Sequence, residues 1–211
     1  MKSALVNMDN KCNKLIPSFS FFNQEFRPAN HLIDLFSDRF SFHPHSSNIK
    51  KHMEELDNTT LRALFNTSSA IVILDTNIKN HVTTSISHIH SHNRPVTKTI
   101  HRTVNVFTTE AKLFTIQCGI NQVVNITNVN HIVIIMDSLH TAKRIFNSLS
   151  HPYQIHSVII LSKLRKFFSR NANNHIEFWD CPSKQKWPLH ALVDKDFKSF
   201  ESIPSFPCKS S

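Results

Sequence analysis

A chain of 211 residues with 40% apolar side chains is long enough for one well-packed core and too apolar to be disordered throughout. Lys and Arg outnumber Asp and Glu by 24 to 15, and the resulting formal charge of +9 favours a polyanionic partner such as nucleic acid. Only one glycine occurs, Gly119, which excludes the Rossmann and P-loop routes to nucleotide binding and leaves tight turns to Asn, Asp, Ser and Pro.

In chain order, MKSALVNMDNK lacks the apolar stretch of a secretory signal, and no window approaches the ~18 apolar residues needed to cross a bilayer. An intracellular protein of the cytoplasm or nucleus, with no membrane partner, is therefore expected. Four cysteines, at 12, 118, 181 and 208, form no CxxC pair, so neither a zinc ribbon nor a disulfide framework is expected. Residues 1–66 read as a peripheral, partly irregular lead-in of Phe-rich pieces. It ends in a short helix around IKKHMEELDNTTLRALF, where Met53, Leu56, Leu61, Leu64 and Phe65 fall near one stripe.

From Ser69 the pattern sharpens. AIVIL is a continuous apolar run suited to a strand buried on both faces, and it ends at Asp75. HVTTSISHIHSH and PVTKTIHRTVNVF form a β-hairpin around Asn93 and Pro95. TTEAKLFTIQCGINQVVN is a helix capped by Thr108 or Thr109, with Ala111, Phe114, Cys118 and Val123 as its stripe. HIVIIMD is a second buried strand, and Ser138 caps the helix SLHTAKRIFNSLS after it. A basic-ended helix IHSVIILSKLRKFFSR, a strand HIEFWD and a helix LHALVDKDFKSF complete the domain, residues 67–201, and 202–211 form a tail. The fold class is α/β: a five-stranded mixed sheet in the order βββαβααβα, flanked by helices, with chemistry at the carboxyl ends of its parallel strands.

Acids fall at telling places in that order. Asp75 and Asp137 end apolar strands, Glu110 lies in the first turn of a helix, and Asp194 sits near the close of the domain. Converging carboxylates are what a magnesium site requires. ILDTN, TTEAKLFTI, IVIIMDSLHTA and WPLHALVDKDFK resemble, in order, the four acidic motifs of type 1 ribonuclease H domains. They are most similar to those attached to reverse transcriptases in retroelement polyproteins, over about residues 68–200. The resemblance implies that Asp75, Glu110, Asp137 and Asp194 hold two Mg2+ ions, with Mn2+ as a substitute, and that the protein hydrolyses the RNA strand of RNA/DNA hybrids by two-metal chemistry.

Departures are visible within the same motifs. Thr76 and Asn77 stand where the family has Gly and Ser, and Lys184 stands at the position of the family's helper histidine, leaving His190 as its possible substitute. Lys163, Arg165, Lys166 and Arg170 are expected to grip phosphate. A second reading is a catalytically inactive, retroelement-derived module that binds nucleic acid or protein. His88, His90 and His92 share a strand face at period two, expected to be a hydrated outer face rather than a metal site. Phe167, Phe168 and Trp179 are expected in the core, and Trp187 is left open.

Overall fold

A computed structural model of the protein describes residues 35–45, 47–80, 82–92, 94–104, 106–146, 153–182, 185 and 187–201. After one turn of 3-10 helix, the elements are β1 (Phe40–His43), α1 (Ile49–Phe65), β2 (Ser69–Lys79), β3 (Val82–Ser91) and β4 (Thr97–Val104). Then come α2 (Thr108–Val123), β5 (His131–Met136), α3 (Leu139–Ile145), α4 (Gln154–Arg170), β6 (His175–Asp180) and α5 (Pro188–Glu201). From Ser69 onward the order is βββαβααβα, as expected. The α/β class and the helix-flanked mixed sheet are both present, but the sheet has six strands, in the order β1-β6-β5-β2-β3-β4.

The sixth strand comes from the presumed lead-in. β1 pairs parallel to β6, from Phe40 opposite Ile176 to His43 opposite Trp179. Helix α1 covers one sheet face with Leu56 and Ala63, so residues 40–65 belong to the folded core rather than to its periphery. The stripe expected on α1 is rotated: His52, Leu56, Thr60 and Ala63 are buried, whereas Leu61 and Phe65 are exposed.

Helices lie on both faces because the β2–β5–β6 centre is apolar on both. Alternate residues Val72, Leu74, Ile132 and Ile134 meet α2, α3 and α4, while Ile71, Ile73, Val133 and Ile135 meet α1 and α5. Phe167 and Phe168 lie in the first of these layers and Trp179 and Trp187 in the second, all buried. The lone glycine sits where α2 presses on β2. A Cβ on Gly119 would meet Leu74 Cδ2 at 2.7 Å and Val72 Cγ1 at 3.0 Å. Turns without glycine are made as expected by asparagine, with Asn80 and Asn128 at φ 51° and 68°.

β2 outruns its sequence estimate. It does not end at Asp75 but continues to Lys79, because antiparallel pairing with β3 persists from Ala70–Ser91 to Lys79–Val82. Its parallel pairing with β5 stops earlier, at Ile73–Ile135. The two strands then part, β2 leaning on β3 and β5 on β6, and a cleft opens at the switch point of the sheet.

Candidate metal centre

Asp75 stands at the mouth of that cleft, two residues past the last β2–β5 pair, and Asp137 follows directly on β5. Between them lies a pocket lined by Asp75, Thr76, Lys112, Thr115, Asp137 and Thr141, among others. The floor is braced by short contacts. Asp75 Oδ1 accepts from the Thr76 backbone N–H at 2.7 Å, and the Thr76 and Thr115 hydroxyls lie 2.9 Å apart.

Helix α5 brings the other half of the site. His190 and Asp194 are four residues apart and so share one helix face. One ligand atom from each of Asp75, His190 and Asp194 falls within 4.8 Å of the others. His190 Nε2 is 3.7 Å from Asp75 Oδ2, and His190 Nδ1 is 3.6 Å from Asp194 Oδ1. Both distances exceed hydrogen-bonding range. The His190 side chain is only 5% exposed, and its Nε2 has no hydrogen-bond partner among the described residues.

The orientation of α5 is fixed from outside the cluster. Asp196 accepts from His88 Nε2 at 2.7 Å and from Lys98 Nζ at 2.9 Å. Trp187, just before the helix, donates Nε1–H to Asp57 of α1 at 2.6 Å. The histidine-bearing face of β3 is thus no hydrated surface: His88 is fully buried and His90 nearly so, beneath the α1 and α5 layer.

Electrostatics at Asp75 match a crowded carboxylate. Burial pushes its pKa above the ordinary value, His190 and the Thr76 N–H oppose that, and the charges of Asp137 and Asp194 add to it. A cation bound beside Asp75 would relieve both the repulsion and the desolvation.

Of the four expected acids, the structure gathers Asp75 and Asp194 and sets Asp137 in the same pocket. Glu110 is not brought into this group. Its charge acts on His156 of α4, and the α2 side chains that line the pocket are Lys112, Thr115 and Ile116, the first of them two residues on from Glu110 and so about 200° further around the helix. Lys112 Nζ donates to Asp137 Oδ2 at 2.8 Å. The residues fit one divalent ion, since an orphaned imidazole nitrogen and two carboxylates converge. They do not fit a second ion shared by Asp137 and Glu110, because the ammonium of Lys112 already occupies Asp137.

Lys184 lies outside the described residues. Lys163, Arg165, Lys166 and Arg170 line up along α4, but its basic end is remote from the pocket: Arg170 Nη1 donates to Val124 O at the far end of α2. That is twelve residues from Lys112, about 18 Å along the helix axis. The reading from sequence missed Lys112 and undervalued His190. Signals for both were present: the i, i+4 pair in HALVD, and Lys112 one heptad before the only glycine.

No protein-family model matches the chain, and no curated protein matches it. Among solved structures the chain is similar to RNase H1 from the halophilic archaeon Halobacterium salinarum NRC-1. That likeness has 8% identity and a TM-score of 0.41, covering 54% of this chain and 86% of that one.

Proposed function

We propose that this protein is a divalent-metal-dependent nuclease that hydrolyses the RNA strand of RNA/DNA hybrids. The observation that carries the reading is the convergence of Asp75, His190 and Asp194 where β2 parts from β5, with a buried histidine nitrogen unsatisfied and aimed into the group. A bound Mg2+ or Mn2+ would polarise a phosphoryl oxygen and lower the pKa of a water molecule. Around it, Asp75 and Asp194 supply negative charge, Thr76 and Thr115 brace the Asp75 stretch of β2, and Lys112 offers a fixed positive charge beside the place where phosphate would approach. The excess of basic residues suits a polyanion, and the resemblance of the four acidic motifs suggests the hybrid as substrate. Lys163, Arg165, Lys166 and Arg170 then serve as distal phosphate contacts along α4.

Cleavage of an end-labelled RNA/DNA hybrid with Mg2+ or Mn2+ tests the reading: RNA fragments are expected with the unmodified chain and none with Asp75→Asn. Cleavage of the DNA strand alone, or cleavage unaffected by Asp75→Asn, would count against it. The Lys112–Asp137 ion pair favours one rival, a hybrid-binding module without catalysis. Hybrid binding in a gel-shift assay, with no cleavage in either metal, would select that rival.

A further inference from the structure

We infer that the cluster of Asp75, His190 and Asp194 is a single-ion centre for a transition metal such as Mn2+ or Zn2+, and that Lys112 stands in for a second cation at Asp137. The inference rests on the metal-dependent reading above but concerns the number and kind of ion. Two features of the site carry it.

The first is the donor set. Mg2+ takes oxygen ligands and keeps much of its water, whereas imidazole suits Zn2+, and Mn2+, though it favours oxygen, accepts a nitrogen ligand more readily than Mg2+ does. His190 contributes a nitrogen that is buried, lacks a hydrogen-bond partner among the described residues and points at Asp75 Oδ2 from 3.7 Å. Ligand atoms each about 2.1 Å from one ion lie roughly 3.0–3.6 Å apart, depending on the angle between them. The His190–Asp75 separation of 3.7 Å lies just beyond that span and is too long for a hydrogen bond. Asp194, more exposed on the next turn of α5, lies nearest the other ring nitrogen, Nδ1, at 3.6 Å, and one ligand atom from each of the three residues falls within 4.8 Å of the others.

The second is the charge already present. Asp137 Oδ2 is 2.8 Å from Lys112 Nζ, both side chains being about four-fifths buried. A charge-assisted hydrogen bond in such a setting competes directly with a second divalent ion, and among the described residues no group of three metal-ligating side chains includes Asp137. A fixed ammonium and one ion therefore divide the work that two ions would share.

Metal titration of the full chain tests this without reference to cleavage. Calorimetry is expected to give one ion per chain, with Mn2+ or Zn2+ bound at least about tenfold more tightly than Mg2+. Pulsed electron paramagnetic resonance of the Mn2+ form is expected to show nitrogen coupling that disappears in His190→Gln. If His190→Gln does not fold, Asp194→Asn at the exposed ligand is expected to weaken binding by about tenfold or more, and unchanged affinity there overturns the centre. Lys112→Gln is expected to admit a second ion. Two ions on the unmodified chain, no nitrogen coupling, equal affinity for Mg2+, or a single ion on Lys112→Gln would each overturn the corresponding half of the inference. Absence of hybrid cleavage with one-ion binding intact would instead sink the nuclease reading alone.

Discussion

At the scale of single residues, the decisive difference lies between Glu110 and Lys112. Both sit in the first turns of α2, and an acid there is an attractive ligand when read along the sequence. Which of them faces the sheet is settled by packing further down the helix, where Gly119 lets the backbone close on Val72 and Leu74. Residues 112, 115, 116 and 119 repeat at helical spacing and share that face, and Glu110 does not. Trp187 shows a comparable economy, since its ring fills the layer under α5 while its N–H reaches Asp57. Trp187→Phe removes a hydrogen bond to a charged acceptor, and Asp57 is exposed enough for water to replace part of it. The expected loss is about 1 to 2 kcal/mol in denaturant unfolding, while Asp57→Asn, which keeps an acceptor oxygen, loses less. Unchanged stability in Asp57→Ala, beside a full loss in Trp187→Phe, would mean that the ring, and not its hydrogen bond, secures the start of α5.

Elements explain which parts of the fold were legible. β2 and β5 announce themselves as unbroken apolar runs because both of their faces are covered, and the acids after them mark the cleft. β1 was not legible: FSFH is four residues long, and its partner β6 lies some 135 positions away, so no local pattern reports the pairing. The histidine face of β3 was misread for a similar reason. Period two fixes that His88, His90 and His92 share a side, but only the docking of α1 and α5 decides whether that side is wet. Two expectations belong at this scale. Gly119→Val drives a branched side chain into Leu74 and Val72, and a loss of about 2 to 3 kcal/mol is expected in chemical denaturation, reported as a lower midpoint at unchanged slope. A chain beginning at residue 67 lacks β1 and α1, leaving Trp179, Ile71 and the edge of β6 uncovered. It is expected to lose near-ultraviolet dichroism and cooperative melting, and a sharp native-like transition would show that residues 40–65 are dispensable.

Across the whole molecule, buried histidines tie stability to pH. Burial lowers the pKa of His88, His90, His156 and His175 below the ordinary imidazole value, even where a carboxylate, as Asp196 beside His88, pulls the other way. His88 and His90 also face each other and Lys98, so protonating either raises like charge under α5. Unfolded, these groups accept protons near pH 6.5, whereas the folded protein accepts them only at lower pH. Their contribution is therefore complete above about pH 6.5 and is lost as pH falls from there through the depressed folded values. Carboxylates add a second, more acidic step. Burial alone would raise Glu177, but hydrogen bonds from His131, His43 and Trp179 outweigh it and hold the group far below the carboxylate range. Lys98 and His88 likewise outweigh the desolvation of Asp196 and keep it low. Both favour the folded state above about pH 4.4 and cease to do so as acid protonates them. Thermal unfolding followed by circular dichroism from pH 8 to 3 should thus give a plateau above about pH 7, a decline that begins as pH falls below about 6.5, and a steeper one below about 4.5. His90→Gln, which places a neutral side chain in the same layer, is expected to shrink the first decline and leave the second. A melting temperature constant from pH 7 to 5 would mean that these histidines are as free to protonate in the folded protein as in the unfolded chain.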